Sequence, residues 1–161
     1  MADPPLDGLD DVLHLVAAAN AARRAGAHDD EAERRLELRF GTSRTLAVYG
    51  TLAPGRSNHH VVAPLGGTWT HGVVEGDLFP VGWGAIQGYP AFLPRSGGPD
   101  VAVHVLTSPR LPHAWPELDR FEGAEYRRLL IPVYEPDTAS ARRLSTVANL
   151  YAAADAAPET P

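Results

Sequence analysis

The chain has 161 residues, of which 44% are hydrophobic, so it is long enough to form one domain with its own core. Its formal net charge is -6, which argues against nucleic acid and anionic membrane as partners, because phosphate binding requires a basic face. The absence of cysteine excludes disulfides, thiolate metal ligands and cysteine nucleophiles. No apolar run has the length of a membrane span, and the mildly apolar stretch 12–22 has flanking charges opposite to those of a secretory signal. We therefore expect a cytoplasmic protein.

The first part of the chain, residues 1–43, predicts a helical arm. Its apolar residues recur at helical spacing, and they are Leu9, Val12, Leu13 and Val16. Start and stop signals flank this face, namely Pro4, Pro5 and Asp7 before it and Arg23, Arg24 and Gly26 after it. Asp29 or Asp30 could cap a second helix running through Arg35, and residues 36–40 fit either a strand or the end of that helix. The apolar face of the arm predicts a possible homodimer through the N-terminal helices.

From residue 44 the pattern changes to short strands separated by turns. The predicted strands are Thr45–Leu52, Trp69–Phe79 (interrupted at Gly72 and Gly76), Val101–Leu106, Leu129–Tyr134 and Ser145–Ala152. Pro132 indicates an edge strand or a bulge. Pro112–Phe121 is the one predicted core helix of this part. Many short strands with few helices predict an α+β domain or small barrel over residues 44–155, followed by a flexible tail at 156–161.

The segment from Tyr49 to Leu52 has two interpretations. In the first, it is only a tight turn after a strand, in which Gly50 supplies the backbone φ angle that the turn needs. In the second, the backbone N–H groups of Gly50, Thr51 and Leu52 bind a carboxylate or a developing oxyanion, and Tyr49 forms a pocket wall.

Glu122 also has two interpretations. A carboxylate after a helix is usually solvated, but Phe121 and Gly123 flank this one where the predicted helix ends. If Glu122 points inward, partial desolvation would raise its pKa, as a general base that later acts as an acid requires. We expect Asp119 to be a helix-surface acid. The following arginines, Arg127 and Arg128, could pair with Glu125.

The seven histidines do not predict a metal site. His59 and His60 are adjacent, so their side chains diverge, and His71, His104 and His113 lack the spacing of metal-binding motifs. The sequence likewise contains no serine-hydrolase elbow, no dinucleotide fingerprint and no P-loop.

Several short motifs occur in one order along the chain. They are Val48-Tyr49-Gly50-Thr51-Leu52 with Gly55 and Asn58-His59, Val74-x-Gly76-x-Leu78, Gly88-Tyr89-Pro90, Leu118-Asp119-x-Phe121-Glu122-Gly123 with Tyr126 and Arg128, and a closing strand at 147–151. Together they resemble the gamma-glutamylcyclotransferase-like family, and within it the gamma-glutamylamine cyclotransferase branch most closely, over roughly residues 44–152. The N-terminal arm lies outside this resemblance.

The resemblance implies a small mixed β-barrel with flanking helices and an enzyme that needs no cofactor and no metal. It implies that a gamma-glutamyl amine or peptide is cyclised to 5-oxoproline with release of the free amine. By position, Tyr49, Gly50, Thr51 and Leu52 would form the substrate loop, Glu122 would be the general base and acid, and Tyr126 a pocket residue. His104 lies in a stretch where many relatives carry a Gly-Glu pair, and we expect it on a strand surface. The alternative is a non-catalytic module on the same fold that binds a small carboxylate or serves in interactions.

Overall fold

The computed structural model describes residues 8–82, 88–136 and 142–154. Two helices, α1 (Leu9–Arg24) and α2 (Asp30–Phe40), form the N-terminal arm. The side chain of Asp29 caps α2 by accepting a hydrogen bond from the Ala32 N–H, and Gly41 ends it at φ 65°. The segment 36–40 is therefore helical. The predicted start of α1 at Pro4, Pro5 and Asp7, and the predicted tail at 156–161, lie outside the described residues.

Six strands and a third helix follow in the described part of the chain. They are β1 (Thr45–Val48), β2 (Thr68–Phe79), β3 (Ala91–Pro94), β4 (Asp100–Thr107), α3 (Leu111–Glu122), β5 (Tyr126–Tyr134) and β6 (Leu144–Ala153). The strand order is β3-β2-β4-β1-β6-β5, and pairing of β2 with β5 closes five of the strands into a barrel, with β3 added at its edge. Because β1 runs parallel to β6 while the other pairs are antiparallel, the barrel is mixed. The predicted α+β fold with a small mixed barrel is confirmed.

Four details of the strands differ from the prediction. β1 ends at Val48 rather than Leu52, because residues 49–52 turn away from β4. β2 is not interrupted by its glycines, since close neighbours require them: a Cβ at Gly72 would collide with Val133, and one at Gly76 with Phe92. β3 was not predicted. In β5 the register shift lies between Val133 and Tyr134, one residue beyond Pro132.

The three larger clusters of apolar side chains lie in different regions. Inward-facing residues of alternating strand positions fill the barrel, α3 covers the outer face of β1 and β4, and α1 and α2 pack on β5 and β6. Asn20 on α1 also holds β5, since its side chain both donates to the Leu130 carbonyl and accepts from the Leu130 N–H, each at 2.8 Å.

The apolar face of the arm is thus partly used inside the chain. Val12 and Val16 are buried in the same cluster as Leu130 and Val147 of the barrel. Homodimer formation through these helices stays a prediction. Among the described residues, no helix is both long and apolar enough to span a membrane.

Candidate active site

A cavity of about 410 Å³ opens where β1 ends. The loop after β1, the end of α3 and the segment before β3 surround it. Its lining residues are Ala47, Val48, Tyr49, Gly50, Thr51, Leu52, Asn58, Tyr89, Pro90, Phe121, Glu122, Glu125, Tyr126 and Tyr151. Every residue that the sequence nominated for the site is among them, so segments about seventy positions apart in the chain meet around one space.

The loop after β1 is held through its carbonyl groups. The Asn58 N–H donates to the Thr51 carbonyl at 2.9 Å, and the Asn58 side chain donates to the Thr51 hydroxyl at 3.0 Å. The Leu52 carbonyl lies 2.9 Å from Nδ1 of His59, and the Gly50 carbonyl accepts from the Ala53 N–H at 3.2 Å. Within the described part of the chain, no hydrogen bond is donated by the N–H groups of residues 50–52. The loop therefore keeps its acceptors occupied and its donors available for an anion.

Gly50 does not have a positive φ angle. The interpretation in which this glycine supplies a φ angle that the turn needs is therefore wrong. A Cβ at Gly50 would lie 3.6 Å from Cγ of Pro90, which is ordinary van der Waals contact. The absence of a side chain instead leaves space between the loop and Pro90, beside the cavity.

Glu122 is the last residue of α3. The helix ends there because Gly123 takes φ 82° and ψ 179°, a conformation close to glycine-only backbone. Burial raises the pKa of the Glu122 carboxyl to about 7. Its carboxylate makes no hydrogen bond or ion pair with any residue that the structure describes. At neutral pH this group is divided between its two protonation states, so it can take up a proton and give it back.

Two tyrosines form walls of the cavity. The Tyr49 hydroxyl donates to the Tyr151 carbonyl at 2.5 Å, and its ring lies 5.5 Å from the ring of Phe92. The Tyr126 hydroxyl donates to the Pro90 carbonyl at 2.8 Å. Burial raises the pKa of Tyr49, and it raises the pKa of Tyr126 to about 12. Both phenols therefore stay neutral, with their protons directed at backbone carbonyls.

The residues behind the end of α3 form contacts that the sequence did not predict. Asp119 is exposed on the surface of α3, as expected, and it also accepts from the Tyr151 hydroxyl at 2.6 Å and pairs with Nε of Arg128 at 2.9 Å. Arg127 donates to the Arg23 carbonyl at 3.0 Å. The two arginines thus find partners other than Glu125.

Several cavity residues were not nominated from the sequence, above all Asn58, Tyr89, Pro90 and Tyr151. The first three lie in motifs that the resemblance already used, so motif order could have identified them. Tyr151 ends the closing strand of the same resemblance, but its place at the cavity depends on the pairing of β6 with β1 and β5. His104 lies on the outer face of β4, half exposed, and does not line the cavity. In the described ranges, no group of three or more histidine, aspartate or glutamate side chains could hold a metal ion.

The protein thus combines a mixed barrel with a cavity that lies between a loop at a strand end and a carboxylate at a helix end. The family model for gamma-glutamyl cyclotransferase, AIG2-like proteins (GGACT) matches residues 46–160. The chain belongs to this family. A comparison with curated proteins gave no match.

Solved structures match the chain at low sequence identity. An AIG2-like protein of Mus musculus, also designated A2LD1 and GGACT, superimposes with a TM-score of 0.51 at 23% identity, covering 71% of this chain and 80% of the mouse chain. The NMR solution structure of A2LD1 gives a TM-score of 0.48 at 25% identity, with 71% and 81% covered. An uncharacterized protein of Pyrococcus horikoshii gives 0.48 at 17% identity, with 70% and 79% covered.

Proposed function

We propose that this protein is a cyclotransferase that converts a gamma-glutamyl amine or peptide to 5-oxoproline and releases the free amine. The observation that carries the proposal is one cavity lined by both Glu122, whose pKa burial raises to about 7, and the donor loop at residues 50–52. A group that exchanges a proton near neutral pH and a row of free N–H groups are the two elements that this reaction needs.

The loop at residues 50–52 would bind the negative charges of the substrate. Its N–H groups can bind the α-carboxylate of the glutamyl group or stabilise the oxyanion that forms on the γ-carbonyl oxygen. Thr51 and Leu52 are placed for this by Asn58 and His59, which occupy the loop carbonyls. A cavity of about 410 Å³ is in the range that encloses a small ligand.

Glu122 would move the proton. As a carboxylate it takes one proton from the α-ammonium of the substrate, whose nitrogen then attacks the γ-carbonyl carbon of the same molecule. A tetrahedral intermediate forms, and its collapse breaks the bond between that carbon and the departing nitrogen. The protonated Glu122 gives its proton to the departing nitrogen, which leaves as the amine. The regenerated carboxylate then takes the second proton from the ring nitrogen and passes it to the released amine, so the products are the neutral five-membered lactam and the ammonium form of the amine.

Because the attack is intramolecular, the barrier depends strongly on how the substrate is folded. Holding the amine against the γ-carbonyl replaces an encounter between two molecules by a preorganised contact. Tyr49 and Tyr126 fit this task, since their hydroxyls are fixed on backbone carbonyls and their rings are rigid walls. The leaving amine would extend toward the exposed aromatic side chains of the cavity, Tyr89 and Phe121.

Turnover of a substrate panel tests the proposal. Purified protein is incubated with gamma-glutamyl amines and gamma-glutamyl peptides, and 5-oxoproline and free amine are quantified together. Glu122→Gln should fold normally and lose about 10²–10⁴-fold in kcat, the usual contribution of a positioned acid–base group. Glu117→Gln on the exposed side of the same helix is the matched control and should keep full activity.

The outcomes separate the two candidate roles. If no member of the panel yields 5-oxoproline, the cyclotransferase proposal is rejected. If 5-oxoproline or glutamate then still raises the melting temperature of both wild type and Glu122→Gln, the protein is a binding module for small carboxylates.

A further inference from the structure

Two histidines that are far apart in sequence face each other on the outside of the barrel. His71 of β2 and His104 of β4 are direct cross-strand partners in an antiparallel ladder. Their ring centroids lie 4.7 Å apart, with the ring planes inclined by 56°. His71 is exposed and His104 is half exposed, so solvent reaches the pair. Neither ring has a hydrogen bond or ion pair with a described residue.

The separation of the rings fits two ligands of one metal ion. With a metal–nitrogen bond of about 2.0–2.1 Å, a ligated imidazole centroid lies about 3.2 Å from the ion. Two such rings at a ligand–metal–ligand angle of about 90–110° have centroids about 4.5–5.2 Å apart. The observed 4.7 Å falls inside this interval without movement of either strand.

One positive side chain acts on this position. The charge of Arg56 is close enough to His104 to act on its ring. The same charge repels a cation bound there.

We propose that His71 and His104 form a two-histidine site for a late first-row transition-metal ion such as Ni²⁺, Cu²⁺ or Zn²⁺, with water completing the coordination sphere. Imidazole nitrogen selects these ions over Mg²⁺ and Ca²⁺, which prefer oxygen. The site is separate from the cavity, since neither histidine lines it. An ion at this site would join β2 to β4. His104 is also the register partner of Val48, the last residue of β1 before the loop at residues 49–52.

Titration of tag-free protein with Ni²⁺, followed by calorimetry, tests the proposal. Wild type should bind one equivalent, and Mg²⁺ at the same concentrations should not compete. His71→Gln and His104→Gln should each weaken binding by about tenfold or more, because loss even of an outer-shell partner of a metal ligand costs about that much. His113→Gln, an exposed histidine on α3, is the matched control and should leave the affinity unchanged.

Two further readouts locate the ion. Arg56→Gln should strengthen binding at low salt, because it removes a repelling charge. Ni²⁺ should raise the melting temperature of wild type and not that of His71→Gln, since only an ion that joins the strands stabilises the folded state. The proposal is overturned if wild type binds Ni²⁺ no more tightly than His71→Gln, or if His113→Gln weakens binding as much as the two ligand variants. These measurements use no substrate, so their result is independent of the proposed activity.

Discussion

The hydroxyl of Tyr151 donates a 2.6 Å hydrogen bond to Oδ1 of Asp119 and so ties β6 to the last turn of α3. Arg128 binds the same carboxylate at 2.9 Å, and its guanidinium lies 4.4 Å from the ring centre of Trp115 on α3. Glu122 follows Asp119 by three residues, which is less than one helical turn. The position of the proposed acid–base group therefore depends on contacts that reach the helix from two strands.

Removing this hydroxyl should affect activity more than binding. In Tyr151→Phe the ring stays but the bond to a charged acceptor is lost, so the free energy of unfolding should fall by about 1–2 kcal/mol. We expect a lower kcat with little change in KM, because the end of α3 becomes less firmly placed. Urea unfolding and steady-state kinetics measure both effects. The control is Tyr134→Phe, which removes a hydroxyl at the end of β5 that is distant from Arg128. If its kcat fell as much as that of Tyr151→Phe, the role given to Asp119 would be contradicted.

The activity should depend on pH through Glu122. This group must be ionised to accept the proton, and burial raises its pKa to about 7. The value of kcat/KM should therefore rise with pH through about 7 and fall about tenfold per pH unit well below it. A pH profile with the best substrate of the panel measures the midpoint. A midpoint near 4.5, the ordinary value of this carboxyl, would show that a solvated group controls the reaction.

Glu122 should also make folding stability pH dependent. Because its pKa is higher in the folded state than in the unfolded chain, the folded state binds the proton more tightly. The free energy of unfolding should therefore fall as the pH rises from about 4.5 to about 7 and stay lower above that. Glutamine does not ionise, so Glu122→Gln should not lose stability as the pH rises. At pH 8 the variant should be about 1–2 kcal/mol more stable than wild type, after allowance for solvent screening. At pH 4 the two proteins should be equally stable. Urea unfolding of the two proteins at both pH values measures the difference, and a constant difference would contradict it.

Two glycines beside the cavity should respond differently to alanine. Gly123 has φ 82°, and a Cβ there would lie 2.7 Å from Oε2 of Glu125. Gly123→Ala should therefore cost about 1–3 kcal/mol of folding stability. It should also lower kcat, because the strained backbone would shift Glu122. Gly50 has no positive φ angle, and its Cβ would meet Pro90 at an ordinary contact distance. Gly50→Ala should keep the stability of wild type. Urea unfolding of both variants compares them, and equal destabilisation would contradict the roles given to the two backbones.

Local signals were sufficient for some elements. The helix α3 was predicted within one residue at each end, because Pro112 near its start and Gly123 after its end are backbone signals that need no partner. The end of α2 was ambiguous from sequence, because Leu36, Leu38 and Phe40 fit a period of two as well as a helix. Its cap at Gly41 resolved the ambiguity.

Other elements depended on partners that are distant in sequence. β3 has only four residues and forms because β2 offers an edge to pair with. The predicted extension of β1 through Leu52 failed because the turn of the loop, with its bonds to Asn58 and His59, replaced the strand ladder. A pattern within one segment does not contain these contacts.

The sequence by itself determined the chemistry available to this protein: a barrel of short strands, a glycine-containing loop after one strand, a carboxylate at a helix end, and no cysteine. Only the tertiary structure decided which of these groups meet. It buried Glu122 enough to raise its pKa, brought that group to the cavity lined by residues 49–52, and placed His71 beside His104. The physical reason is that side-chain types and backbone signals are local, whereas desolvation and cross-strand contact arise from barrel closure between strands distant in the chain.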